Sequence, residues 1–171
     1  MRLRHAVLAL ALIVLSAAWM GVAQRSASGG DAAALRALIE QNRKAFEARD
    51  VSRIMSSYAP GNQLFVFDAI PPREYPSNEA YRKDWEGLFQ AFPGPVQDTV
   101  SEIAITVAGP VAYGHHIEDT LFTKPNGQKQ RMVVRVTDVY RKRAGRWQIV
   151  QEHVSFPVDP NTGKADLLSK P

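Results

Sequence analysis

The stretch that most constrains the fold is Arg131–Ser155, RMVVRVTDVYRKRAGRWQIVQEHVS, two strand-like runs on either side of Ala144-Gly145. Side chains alternate across a strand, so Val134, Val136, Asp138 and Tyr140 share one face of the first run. Gln148, Val150, Glu152 and Val154 share a face of the second, opposite a row of Trp147, Ile149, Gln151, His153 and Ser155. A carboxylate inside an apolar row is costly unless it is paired, hydrogen-bonded or lining a cavity. Asp138 and Glu152 therefore point to a pocket as much as to a core. The Trp147 row is expected on the opposite sheet face, at a subunit interface.

Upstream, the pattern reads helix, helix, strand, helix, then strands only. Asp31 is expected to cap a first helix whose stripe is Leu35, Leu38, Ile39 and Phe46. Asn42 falls inside that stripe, as either a satisfied core amide or a pocket group. Asp50 caps a short second helix carrying Ile54, Met55 and Tyr58, closed by Pro60-Gly61. Gln63–Ala69 alternates as a strand in which Asp68 ends the row of Leu64 and Val66. The plainer reading of Asp68 is an exposed strand-end acid before Pro71-Pro72. Ser77 caps a third helix with a stripe of Tyr81, Trp85, Leu88, Phe89 and Phe92. Trp85 is core by the usual behaviour of aromatic stripes, or a pocket wall.

Thr99–Val107 and Val111–Thr123 alternate next, with turns at Gly109-Pro110 and Pro125-Asn126-Gly127. On the second of these strands, Tyr113, His115, Ile117, Asp119 and Leu121 share one side. Antiparallel strands with helices gathered on one face make an α+β domain. Strongly bent, such a sheet wraps its helices and leaves a cone with one open mouth.

The first 23 residues read as an export signal: MRLRH is a basic start, AVLALALIVLSAAWMGVA is apolar, and Gly21-Val22-Ala23 offers small residues for cleavage after Ala23. Gln24–Gly30 is a small-residue linker, residues 31–158 the domain, and 159–171 a polar tail over the surface. The expected location is periplasmic or secreted, with no membrane attachment after cleavage. The chain has no cysteine, which excludes disulfides, thiolate metal sites, a cysteine nucleophile and a lipoprotein anchor. Removing Arg2 and Arg4 takes Lys+Arg from 21 to 19 against 17 acids, a net of +2 with the basic residues scattered. That is no nucleic-acid footprint. His115 and His116 are neighbours on a strand and point apart, so they do not share a metal.

The pieces SSYAP, FVFDAIPP, EAYRKDW and TDVYRKRAGRWQIVQEHVS carry a resemblance over Asp31 to Ser155. The sequence resembles the nuclear transport factor 2-like superfamily, in its SnoaL-like and ketosteroid isomerase-like branch. It is also similar to the association domain of calcium/calmodulin-dependent protein kinase II. The resemblance implies a cone-shaped α+β barrel, a strongly bent antiparallel sheet around three N-terminal helices, that forms homodimers through its sheet. In ketosteroid isomerases a first-strand aspartate is the general base, and V-F-D-A places Asp68 there. Their oxyanion aspartate corresponds to Asp138 in T-D-V-Y, and their catalytic tyrosine to Asn42. In those enzymes an apolar site keeps the oxyanion aspartate neutral so that it donates a hydrogen bond. The match also implies His115 and Glu152 as pocket-lining residues, with Tyr58 and Trp85 as walls.

Three functions follow as expectations. One is an exported pocket protein binding a small apolar or carboxylate ligand. The second is a cofactor-independent acid–base isomerase, cyclase or related lyase or hydrolase acting on a ketone or enol through Asp68 and Asp138. The third is a non-catalytic dimeric interaction module. None needs a cofactor.

Overall fold

The computed structural model describes residues 29–168. The expected signal, residues 1–23, and most of the linker lie outside these. The helix α1 spans 29–47, α2 Val51–Met55 and α3 Asn78–Ala91. The strands are β1 Phe65–Phe67, β2 Glu74–Tyr75, β3 Gln97–Ala108, β4 Val111–Thr123, β5 Lys129–Arg143 and β6 Arg146–Ser155.

Local chemistry sets the helix starts. The Asp50 carboxylate accepts from Arg53 N–H at 3.0 Å, and Ser77 Oγ accepts from Ala80 N–H at 3.2 Å. Both satisfy amides that lack a partner in the helix. Asp31 differs from expectation: it lies inside α1, and its Oδ1 accepts from Lys142 Nζ at 2.5 Å and Trp147 Nε1 at 3.1 Å. It therefore ties the first turn to the β5–β6 hairpin instead of capping the helix.

The six strands form one sheet in the order β2-β1-β6-β5-β4-β3. β1 runs parallel to β6, and the other pairings are antiparallel. The sheet is strongly curved but unclosed, with β2 and β3 as its edges. Its concave face holds the three helices. The core packs Leu35 and Phe46 of α1, Ile54 and Met55 of α2, and Tyr81 and Phe89 of α3 against Val66, Tyr140, Trp147 and Ile149. Each such side chain contributes about 1.5–3 kcal/mol by leaving water.

Two bulges set the phase of the sheet. In β6, Val139 pairs with Gln151 while Tyr140 pairs with Ile149, so Val150 is an extra residue. The row that starts as Trp147 and Ile149 continues as Glu152 and Val154. Trp147 (6% exposed) and Ile149 (2%) are thus in the core, not on an outer interface row as expected. In β3 the register shifts between Ser101 and Ala104, where Glu102 takes a φ of 54°.

The tail folds back. Val158 bridges to Ala165, and Val133 N–H donates to Leu167 O at 2.8 Å. β6 ends opposite Arg135, so the tail covers β5 beyond that point.

Candidate functional site

A cavity of about 110 Å³ opens between α1, α3 and the concave face of the sheet. α1 supplies Asn42, Arg43 and Phe46. Tyr58 follows α2, and Asp68 follows β1. α3 turns Tyr81, Asp84, Trp85 and Leu88 toward it. The sheet adds Glu118, Thr120 and Phe122 from β4, Met132, Val134 and Val136 from β5, and Glu152 and Val154 from β6. Aromatic and aliphatic walls enclosing a few convergent polar groups are the usual make-up of a small-molecule site.

At the inner end stands a tyrosine–carboxyl cluster. Tyr58 O–H donates to Glu152 Oε2 at 2.9 Å, and Tyr81 O–H donates to Glu152 Oε1 at 2.8 Å. The Tyr58 and Tyr81 rings meet edge to face, 5.4 Å apart. Burial pushes the Glu152 carboxyl well above its usual range and the Asp138 charge pushes the same way, while the tyrosine hydroxyls only partly oppose them. Glu152 therefore holds its proton to higher pH than a solvated glutamate does. Asp138 is its cross-strand partner and is 1% exposed. Asp138 Oδ2 accepts from Tyr140 O–H at 2.6 Å. Its carboxyl is raised by burial, against the pull of His116 and Tyr140.

Beside it, His116 Nδ1 lies 3.8 Å from Asp138 Oδ2, and His116 Nε2 lies 3.1 Å from Glu118 Oε1. Burial pulls this imidazole down, but the Glu118 contact and the nearby carboxylates outweigh it and raise its pKa. At Thr120 of the wall, Asp98 Oδ1 accepts from Thr120 O–H at 2.6 Å, and burial followed by the Glu118 charge raises the Asp98 carboxyl to about 8.

A second carboxyl pair is formed by Asp68 and Asp84. Burial raises Asp68 to about 6; the Ala69 N–H opposes this, and the adjacent Asp84 adds to it. Tyr75 O–H donates to Asp84 Oδ1 at 2.5 Å. Two polar atoms of the lining, Asn42 Oδ1 and Trp85 Nε1, are buried without a hydrogen-bond partner among the described residues.

Of the seven residues expected at the site, the structure brings Asn42, Tyr58, Asp68, Trp85 and Glu152 into one lining. Asp138 lies one step deeper than Val136 on β5, behind the lining. His115 is a correction: it is exposed on the convex face, and its neighbour His116, 4% exposed, faces inward. Pairing explains this. Gly114, His116 and Glu118 pair with Asp138, Val136 and Val134, and paired residues share a face. The turn gives the same answer. A hairpin centred on Asn126 pairs even positions of β4 with even positions of β5, which assigns His116 and Glu118 inward once Asp138 is inward. Tyr81 and Asp84 were hidden within a stripe that reads as core and a run that reads as a solvated helix face.

The sequence matches the SnoaL-like domain family over residues 35–159. No match is found among curated proteins. Among solved structures, a nuclear transport factor 2-like protein of unknown function from Pseudomonas putida is 29% identical, covers 86% of this chain and 98% of its own, and superimposes with a TM-score of 0.73. A proposed calcium/calmodulin-dependent protein kinase II association domain from Xanthomonas campestris is 20% identical, with coverages of 71% and 84% and a TM-score of 0.62. A proposed scytalone dehydratase from Novosphingobium aromaticivorans is 13% identical, with coverages of 82% and 95% and a TM-score of 0.66. The last two show the fold alone. With the family match, the curved sheet and the enclosed helices in agreement, the chain belongs to the SnoaL-like domain family of the nuclear transport factor 2-like superfamily.

Proposed function

We propose that the protein is exported by its N-terminal signal and works as a pocket protein that holds one small, largely apolar ligand. The observation that carries this reading is the lining itself, in which aromatic and aliphatic walls converge on Glu152 and Asp68 and leave Asn42 Oδ1 and Trp85 Nε1 unpartnered. A bound molecule that offers a donor and an acceptor satisfies both atoms. A carboxylate ligand, the other class expected from sequence, fits poorly. It would meet Asp68, Asp84, Glu118 and Glu152, and the basic Arg43 is already held by Glu40 at 2.8 Å and Glu47 at 2.7 Å.

The test is an NMR titration of the mature chain with small aromatic and alicyclic compounds. Shifts confined to the Trp85 indole and the Tyr58 and Tyr81 region support the reading. A screen that moves none of them removes it. Mass spectrometry of the exported protein, with an N-terminus at Gln24, tests the signal.

One observation favours a second reading, acid–base catalysis on a ketone or enol. Burial pushes the Asp68 carboxyl up to about 6 beside Asp84 in the cavity wall, close to where a general base works best. In this reading Asp68 moves the proton. Glu152, its carboxyl raised by burial, is with Tyr58 and Tyr81 the nearest acid group, because Asp138 lies behind the lining. Asp68→Asn abolishing turnover of a ketone that still binds would support it; unchanged turnover would end it. The convex sheet face, with Tyr113 56% exposed beside Val111, is proposed as the homodimer surface, and light scattering of the mature chain reads this directly.

A further inference from the structure

The charge in the cavity is lopsided, and its aromatic walls decide what that charge is good for. Four acidic side chains line it: Asp68, Asp84, Glu118 and Glu152. Asp68 accepts from the backbone, from the Ala69 N–H at 2.5 Å, whereas the other three are held by side chains. Glu152 is held between two tyrosine hydroxyls, Glu118 is paired with His116, and Asp84 accepts from Tyr75. Among the described residues, no basic side chain pairs with Asp68 or Asp84. The one basic group of the lining, Arg43, faces two carboxylates of its own helix and brings no spare positive charge. Two neighbouring carboxyls in a half-dry site repel each other unless a proton or a cation sits between them.

The rest of the wall is aromatic. The Tyr81 and Trp85 rings lie 5.8 Å apart and inclined at 61°, and Phe46 meets Trp85 edge to face at 5.1 Å. Inclined rings present faces to a shared space, and an ammonium group is drawn to such faces as well as to carboxylates. The unpartnered Asn42 Oδ1 adds a buried acceptor in the same lining, suited to an N–H donor. An anion has no free positive partner here. A neutral ligand leaves the Asp68–Asp84 repulsion in place.

Resting on the pocket reading above, we propose that the ligand is an organic cation, a protonated or quaternary amine seated against Asp68 and Asp84 with its apolar body against the wall that Trp85 and Phe46 form together. The size follows from the cavity. An apolar cavity of about 150 Å³ holds one benzene ring, so about 110 Å³ with an open mouth takes a body of one ring or a short branched chain.

Three probes of nearly one shape separate charge from shape: benzylammonium, benzyl alcohol and benzoate, titrated at pH 7.5 and low salt while the indole resonances are followed. The mature chain carries Trp85 in the cavity and Trp147, which is bonded to Asp31 away from it, as an internal control. The expected result is that benzylammonium moves the Trp85 signal and binds about tenfold tighter than benzyl alcohol, while benzoate does not bind. Asp68→Asn then weakens benzylammonium by about tenfold and leaves benzyl alcohol unchanged, with the Trp147 signal in place as proof of folding. Benzyl alcohol binding as tightly as benzylammonium, or an Asp68→Asn chain that holds the cation undiminished, overturns the cation and leaves the pocket reading intact. If no probe moves Trp85, both fall together.

Discussion

Glu152 is a buried carboxyl, raised by burial and the Asp138 charge, that receives two tyrosine hydroxyls. Replacing it separates hydrogen bonding from charge. Glu152→Ala leaves the Tyr58 and Tyr81 hydroxyls, on side chains each 3% exposed, without their acceptor. An unsatisfied buried polar group costs about 1–3 kcal/mol, so the Ala variant loses roughly 2–4 kcal/mol once some relaxation is allowed. That lowers the melting temperature by roughly 10 °C for a domain of this size. Glu152→Gln keeps the shape. Its carbonyl accepts from one tyrosine and its NH2 donates to the other, so at pH 5 it costs at most about 1 kcal/mol. The pH dependence has a definite sign. Burial raises the folded carboxyl above its ordinary value of 4.5, so the folded chain keeps this proton to higher pH than the unfolded chain does. The stability tied to this proton is fully present below about 4.5 and is lost as pH rises toward the folded value, by up to ~1.4 kcal/mol per unit. Glutamine has no such slope. Urea melts at pH 5 and pH 7 should therefore show Glu152→Gln gaining on the wild type between the two. Equal losses for Ala and Gln, or a Gln-to-wild-type difference that ignores pH, would refute a raised Glu152 carboxyl held by the two tyrosines.

Asp98 gives the same sign at another place. Burial and the Glu118 charge raise it from 3.8 to about 8, so its contribution is present below about 3.8 and fades as pH climbs to 8; Asp98→Asn should flatten the urea-midpoint curve across that window. Gly114 faces Asp138 across β4 and β5, and a Cβ there would stand 2.7 Å from Ala104 O. Gly114→Ala should cost about 1–3 kcal/mol by calorimetry, with little change in far-ultraviolet circular dichroism. Arg49 donates to the carbonyls of Phe89 at 2.6 Å, Gly94 at 2.7 Å and Phe92, and its guanidinium sits 4.8 Å from the centre of the Phe89 ring. Arg49→Ala should cost roughly 2–4 kcal/mol in urea and speed hydrogen exchange at the end of α3.

What the sequence could and could not tell is clearest along β6. Period-two alternation fixes which residues share a face only while the strand stays in step with its partner. From Glu152 onward the alternation read in the sequence is the one observed, and Glu152 lines the cavity. Before Val150 it is inverted, because one extra residue moves Trp147 and Ile149 from the expected outer row into the core. Both central residues of the Ala144-Gly145 turn have positive φ, 46° and 77°, and this two-residue turn pairs Arg143 with Arg146. Carried through without a bulge, that register would set Asp138 opposite Gln151 and point Glu152 outward. The bulge is what restores the acid to the cavity, and no single residue type announces it. The β4 face was different in kind. There the inward placing of His115 rests on the family resemblance, whereas the turn at Asn126 fixes the row around His116 as the inner one. An outer row more apolar than the inner one means that the concave face has given up hydrophobic positions to His116, Glu118 and Thr120. In an α+β domain that exchange stabilises nothing by itself, so the polar inner row is best explained by what the cavity is for.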